Sequence, residues 1–383
     1  MTEAKTPAIA VKPFKDYPDL VDILESRGMI IGDRDRAIRK IAQVGYYHLS
    51  GYWHSSRRFW IERNERGKVF HQLDEFQADT SFEAVFQFYL MDKSLRVLMG
   101  DALERIEIHL RTVIAHELGR HDPLAHLDRA NVVKSALVAQ PGNPPGMLPL
   151  YEGWLDRHEK LIAQSHEESI RSHLKAGKPI PTWVASEAWD FGAISKFYSI
   201  LNPSHQDSIC ERLGVVERNV VDNWLINLNV VRNRCAHHAR LSNRPNPRVL
   251  MLPRRGYFNE LNLDLRAKER LYGLIGVVWF LLKAIGPGSQ WLTKVADVID
   301  TMPRLPGLTP KSMGFPEEGF PRGKFAIASP PLTKEPLLED VCTATLEAFA
   351  VSRETILSMP NGPKSSETRK RFTDEMLELM SDI

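Results

Sequence analysis

Residues 82 to 118 contain no proline and one glycine, and apolar positions such as Ile106, Leu110, Val113 and Leu118 recur there at helical spacing. A long amphipathic helix follows, and a helix of that length buries its apolar face only against other helices. Its polar side carries Asp101 with Arg105 and Glu107 with Arg111, both at i,i+4, where opposite charges lie side by side. These pairs either support the helix or line a site. Further helices are expected near Leu20 to Arg27, from Asp33 to Val44, over Leu150 to Leu174, over Trp183 to Ile200, from Asp222 onward, and from about Leu263 to Ile285. The fold class is all-α, a helical bundle.

The N-terminal part adds the aromatic run Tyr46-Tyr47-His48-Leu49-Ser50-Gly51-Tyr52-Trp53, which reads as a packing cluster at a helix end or as an RNA-stacking platform. Proline and glycine mark loops at Gln140 to Pro149, Lys175 to Pro181 and Pro245 to Tyr257. Prolines at 303, 306, 310, 316, 321, 330, 331 and 336 rule out a continuous helix and define a linker or extended arm. Two more helices are expected at Leu337 to Met359 and Glu367 to Met380. Within the first, Val351-Ser352-Arg353-Glu354-Thr355-Ile356 is faintly similar to the start of a DNA-reading helix, without the expected glycine turn. There are no internal repeats. The expected division is an N-terminal helical and aromatic segment (1–80), the bundle (81–290), the proline-rich linker or arm (291–336) and a helical tail (337–383).

Bulk properties narrow the classes. With 43% hydrophobic and 26% charged residues the chain can build a core. Cys210, Cys235 and Cys342 form neither a disulfide framework nor a paired metal motif, which suits a reducing compartment. The N-terminal stretch lacks the apolar run of a signal peptide, so a cytoplasmic protein is expected. The longest apolar run, Leu271 to Leu282, falls short of the roughly 18 to 20 residues of a membrane span and reads as a core helix.

The net charge of +2 hides a local excess: from Asn223 to Asn259 there are arginines at 232, 234, 240, 244, 248, 254 and 255 and no acidic residue. Arginine pairs with phosphate through a planar fork that stays charged, so Arg234, Arg240, Arg244 and Arg248 are candidate RNA contacts. A solvated basic loop is the alternative. Projected on a helix, Trp224, Leu228, Val231 and Cys235 form a core-facing stripe. Asn229, Asn233 and His237 follow on the opposite side, with Ile226 and Val230 between them, as a surface that a second subunit would cover. Arg232 and His237 stand roughly 140° apart around a straight helix, so they meet at one phosphate only through a bent helix end or a partner chain. Histidine moves protons near neutral pH and arginine stabilises a phosphorane. That pair suits RNA cleavage without metal, with the 2′-hydroxyl as nucleophile and 2′,3′-cyclic phosphate and 5′-hydroxyl products.

The run Arg232-Asn233-Arg234-Cys235-Ala236-His237-His238-Ala239-Arg240-Leu241-Ser242-Asn243-Arg244 resembles the signature of bacterial abortive-infection proteins of the D/F type, within the HEPN superfamily of helical ribonucleases. Three other segments resemble the same family: Ser26-Arg27-Gly28 leading to the Tyr46 to Trp53 run, Asp92 to Arg111, and Pro181-Thr182-Trp183-Val184 through Glu187 to Phe191-Gly192-Ala193-Ile194-Ser195-Lys196. The resemblance covers about residues 15 to 320. It implies an antiparallel HEPN-like bundle that dimerises into a composite site, with Arg232 and His237 catalytic and Asn233 positioning. It also implies a phage-triggered or toxin-like role, with a small RNA or a protein as antitoxin. Glu107 and Arg111 would line the cleft, and His238 is a possible substitute imidazole.

The rival readings are a catalytically silent RNA-binding module of the same fold, antitoxin-like in role, and a regulator whose tail contacts DNA or protein. No His-Glu-x-x-His run, Cys/His ligand spacing or glycine-rich phosphate loop is present, so neither a metal nor another cofactor is expected.

Overall fold

A computed structural model of the protein describes residues 12–327 except 65–66, 140–141, 143, 145 and 255. The expected tail helices, the run Val351 to Ile356 and the last three prolines of the arm lie outside those residues.

The described chain opens with α1 (Tyr17–Ser26), α2 (Arg34–Val44) and α3 (Tyr46–Trp53). Asp16 and Asp19 cap α1 reciprocally, and Asp33 accepts the Arg36 amide at 2.8 Å to start α2. Each carboxylate satisfies an amide that has no partner inside the helix. Gly45, at φ +91°, turns the chain between α2 and α3 in a region that side chains avoid. In α3, Leu49, Tyr52 and Trp53 are buried while Tyr47 and His48 face outward, so packing claims only part of the aromatic run.

An antiparallel hairpin follows, β1 (Arg57–Asn64) and β2 (Gly67–Phe76), in register from Phe59 opposite Gln72 to Asn64 opposite Gly67. Sequence reasoning assigned these residues no element. Aromatic and β-branched residues favour strands, but arginines and glutamates interrupt them here and blur the alternation.

Ser81 then accepts the Ala84 amide and starts α4 (Phe82–Gly119), which at 38 residues spans roughly 57 Å. Leu95, Met99, Leu103, Ile106, Leu110, Ile114 and Leu118 are all buried, which makes α4 the central element. The expected helix over 150–174 is two, α5 (Leu150–Gln164) and α6 (Glu168–Ala176), broken at Ser165. The one over 183–200 also divides, into α7 (Thr182–Ala185) and α8 (Phe191–Ile200). Asp190 adopts extended backbone there and accepts the Ala193 amide at 2.8 Å, a new helix start. Between α5 and α8, Trp154 stacks on Phe197 at 4.1 Å and Trp189 Nε1 donates to His158 Nδ1 at 2.9 Å. Burial pushes His158 down to about 4 and, with His158 adding to it, His126 down to about 3. Both are neutral core histidines.

Next come α9 (Pro203–Arg212) and α10 (Arg218–Ala236). Arg212 meets His116 at 2.9 Å, Arg232 meets Glu107 at 3.4 Å, and the Ser242 amide meets Asp92 at 2.7 Å. Partner numbers on α4 fall as those along α9, α10 and the following turn rise, so α10 runs antiparallel to α4. Two short helices, α11 (Tyr257–Leu261) and α12 (Leu265–Lys268), precede α13 (Leu271–Ile285), where a single helix from about Leu263 was expected. A Cβ at Gly273 would stand 2.4 Å from the Ala267 carbonyl oxygen, so the two segments fold closely against each other. α13 is apolar and packs on α4 and α10, and no helix among the described residues is long and apolar enough to cross a membrane.

After α14 (Trp291–Asp300) the proline-rich chain lies on the bundle as far as α15 (Arg322–Ile327). Leu305, Leu308, Met313, Phe315 and Phe320 are buried, and Ser56 Oγ donates to the Pro306 carbonyl at 2.7 Å.

Candidate active site

One face of α4 and the C-terminal end of α10 enclose a groove of about 770 Å³. From α4 come Lys93, Arg96, Gly100, Glu104, Glu107 and Arg111, spaced three or four apart so that they share one helix face. From α10 and its end come Arg232, Cys235, Ala236 and His238, and from α3 comes His48. Gly100 leaves the middle of the floor open, since a Cβ there meets nothing within 4 Å. Lys93, Arg96, Arg111 and Arg232 outnumber Glu104, Glu107 and the Asp92 that pairs with Arg96 by a single charge, so the lining leans toward an anion.

Glu107, only 6% exposed, joins the two helices: Oε1 accepts from Arg111 Nη2 at 2.7 Å and Oε2 lies 3.4 Å from Arg232 Nε. The shortest Arg232 contact is made by Nε, and neither terminal amino group hydrogen-bonds Glu107. Arg111 Nε is buried without a hydrogen-bond partner. Cys235 sits at the groove wall, but burial pushes its thiol up to about 12, so it stays protonated and is a poor nucleophile. Burial first, and then Arg96, hold His48 below the usual imidazole value, which favours its neutral form.

α10 ends in a turn that positions both histidines. His237 caps the helix, its amide bonded to the Asn233 carbonyl at 2.9 Å. The His238 amide bonds to the Cys235 carbonyl at 3.2 Å and the Ala239 amide to the Arg234 carbonyl at 2.8 Å, the paired bonds of a Schellman ending. The residue between them must be left-handed, and His238 is, at φ +57°, a position glycine usually holds.

The turn beyond is clamped from α4. Asp92, fully buried, accepts the Leu241 amide at 3.1 Å, the Ser242 amide at 2.7 Å and the Tyr52 hydroxyl at 2.9 Å, and it pairs with Arg96 Nη1. Arg96 also donates to the Tyr52 hydroxyl at 2.8 Å. Arg240 donates to the Gly51 carbonyl. One buried carboxylate thus ties α3, α4 and the end of the motif together.

A family profile described as Abi-like protein matches residues 39–243, more than half of the chain. The chain belongs to the Abi-like protein family. Membership ties it to abortive infection, a defence role. No curated protein and no solved structure matches the chain. The matched span of this Abi-like protein begins in α2 and stops just after the Asp92-clamped turn, so it contains every groove residue named above.

The Abi-like fold brings Arg232, Glu107, Arg111 and His238 into one groove, whereas Asn233 and His237 are exposed and outside its lining. Trp224, Leu228 and Val231 are buried and Cys235 is partly so, the expected core stripe. Ile226, Asn229 and Val230 are half-covered, with α8 packed along α10, so only Asn233, Ala236 and His237 remain fully open on that side. Among the strip arginines, Arg234 donates to the Pro245 carbonyl at 3.3 Å and Arg240 to that of Gly51, both being half-buried. Arg244 and Arg248 are exposed. Arg105 turns to Ser289 Oγ at 3.4 Å rather than to Asp101. Sequence reasoning missed His48, Lys93, Arg96 and Glu104 as lining. The stripe 93, 96, 100, 104, 107 and 111 was readable as one helix face, while His48 carried no signal separating it from its aromatic neighbours.

Proposed function

We propose that this Abi-like protein is a HEPN-type, metal-independent endoribonuclease acting in abortive infection from the cytoplasm. The observation that carries this reading is Arg232, the motif arginine, brought onto Glu107 and Arg111 in a cationic groove beside an exposed His237. Glu107 orients two guanidinium groups, and a phosphodiester entering the groove meets the amino groups that Glu107 leaves unengaged. The RNA 2′-hydroxyl attacks the adjacent phosphorus, a histidine takes its proton, and the 5′-oxygen leaves with a proton returned to it. The products are a 2′,3′-cyclic phosphate and a 5′-hydroxyl. His237, on the open end of α10, serves this role across a homodimer in which each chain's helix end faces the other's groove, with Asn233 positioning the phosphate. Arg244 and Arg248 hold the flanking strand, with Arg234 and Arg240 bracing the turn that presents them.

A second assignment of the imidazole rests on His238, which lines the groove within a single chain. In either case a labelled RNA strand is cut and the DNA strand of the same sequence, lacking the nucleophile, stays intact while still binding in a salt-dependent way. Equal cleavage of both strands would overturn the proposed chemistry.

A further inference from the structure

At the far end of α4 three metal-ligating side chains meet. Glu117, 2% exposed, lies with its Oε1 3.3 Å from Nδ1 of His205 on α9 and 3.7 Å from Nε2 of His121, one ligand atom from each of the three residues falling within 4.8 Å of the others.

Neighbouring hydrogen bonds decide which atoms carry lone pairs. Asn131 Nδ2 donates to the Ala125 carbonyl at 2.9 Å, so Oδ1 is the end that faces His205 Nε2, at 3.1 Å. Nε2 therefore carries a proton, and Nδ1 is the ring nitrogen that faces Glu117. His121 Nε2 accepts from Arg120 Nε at 3.2 Å, so its lone pair is on Nε2 and is held by Arg120 until an ion takes it. Arg120 Nη2 donates to Glu117 Oε1 at 3.2 Å and lies 3.0 Å from Oε2, yet Oε2 is buried without a hydrogen bond. Two imidazole nitrogens and a carboxylate oxygen thus converge, with the Arg120 guanidinium as the positive group beside Glu117 and His121. A metal ion held by all three side chains would satisfy both rings and the carboxylate at once.

We propose that Glu117, His121 and His205 bind a divalent transition-metal ion of the zinc class. Two imidazoles and one carboxylate suit zinc better than magnesium or calcium, which take oxygen ligands. Tetrahedral bonds of about 2.0–2.1 Å place ligand atoms roughly 3.3–3.4 Å apart, close to the 3.3 and 3.7 Å that separate Glu117 Oε1 from the two rings. Asn131 orients His205 from behind, as partners of metal-bound histidines do. Arg120, half-exposed, releases His121 to the ion and stays beside the carboxylate. Such an ion cross-links α4 to α9. It does not act in the groove, because Glu117 lies ten residues beyond Glu107, about 15 Å along the helix. The expectation of no metal rested on local spacing; Glu117 and His121 sit at i,i+4 on one helix end, but the third ligand comes from a distant helix.

The test uses full-length protein stripped with chelator, dialysed, and titrated with zinc chloride by calorimetry, with melting curves for both forms. One zinc per chain is expected, with a higher melting temperature. His121→Ala and His205→Ala should each weaken binding by about tenfold or more. The His121 side chain is 54% exposed, so His121→Ala should leave the melting temperature of the zinc-free protein unchanged. No saturable uptake at micromolar zinc, or the same affinity in both variants as in the parent, would overturn the site.

Discussion

Asp92→Ala should lower folding stability by about 3–5 kcal/mol, because it leaves the Arg96 charge buried without its partner. Arg96 is 7% exposed and Asp92 is fully buried, so water does not replace the lost contact. The Leu241 and Ser242 amides lose their acceptor at the same time. Asp92→Asn keeps an acceptor oxygen while removing the charge, and should fall between the parent and alanine. Urea denaturation measures the difference, with an unchanged m-value showing that the native compactness is retained. A loss below about 1 kcal/mol would mean that the clamp is dispensable.

Arg232→Ala should reduce RNA cleavage by about 100- to 1000-fold, the usual effect of removing one donor to a developing oxyanion. Arg232 is 37% exposed and its shortest contact to Glu107 is a 3.4 Å one through Nε, so the fold should survive the change. His237→Ala should lower cleavage by about 100-fold or more, as loss of a positioned proton carrier does. His238→Gly separates the two imidazoles. Glycine at φ +57° relieves left-handed strain of about 1–2 kcal/mol, so this variant should be more stable than the parent and still cut RNA. A stabilised but inactive His238→Gly protein would transfer the proton-carrying role to His238 and remove the need for a partner's helix end.

The helices were legible where one stretch of chain decides the outcome. The period of Ile106, Leu110, Val113 and Leu118 marks α4, and the stripe Trp224, Leu228, Val231 and Cys235 marks the buried face of α10. Asp33 and Ser81 cap α2 and α4 by equally local chemistry, which the sequence reading did not mark. What stayed hidden depends on distant partners. Nothing near Asp92 announces that it accepts amides about 150 residues later. Nothing in the run Trp183 to Ile200 shows that Trp189 packs against Trp154 and leaves Asp190 to start a new helix. Arg240 looked like a phosphate contact because its charge is visible and the Gly51 carbonyl that holds it is not. The helix end was open in the sequence between a bent terminus and a partner chain. The Schellman turn supplies the bend, and it turns His238 rather than His237 into the groove of its own chain.

The measurement closest to the central claim is the end chemistry of RNA cut by the parent protein. Labelled single-stranded RNA and transfer RNA are incubated with it in magnesium-free buffer containing chelator, and the termini are mapped. The groove chemistry predicts 5′-hydroxyl and 2′,3′-cyclic phosphate ends that form without added cation. Ends bearing 5′-phosphate and requiring magnesium, or RNA that is bound and never cut, would contradict it.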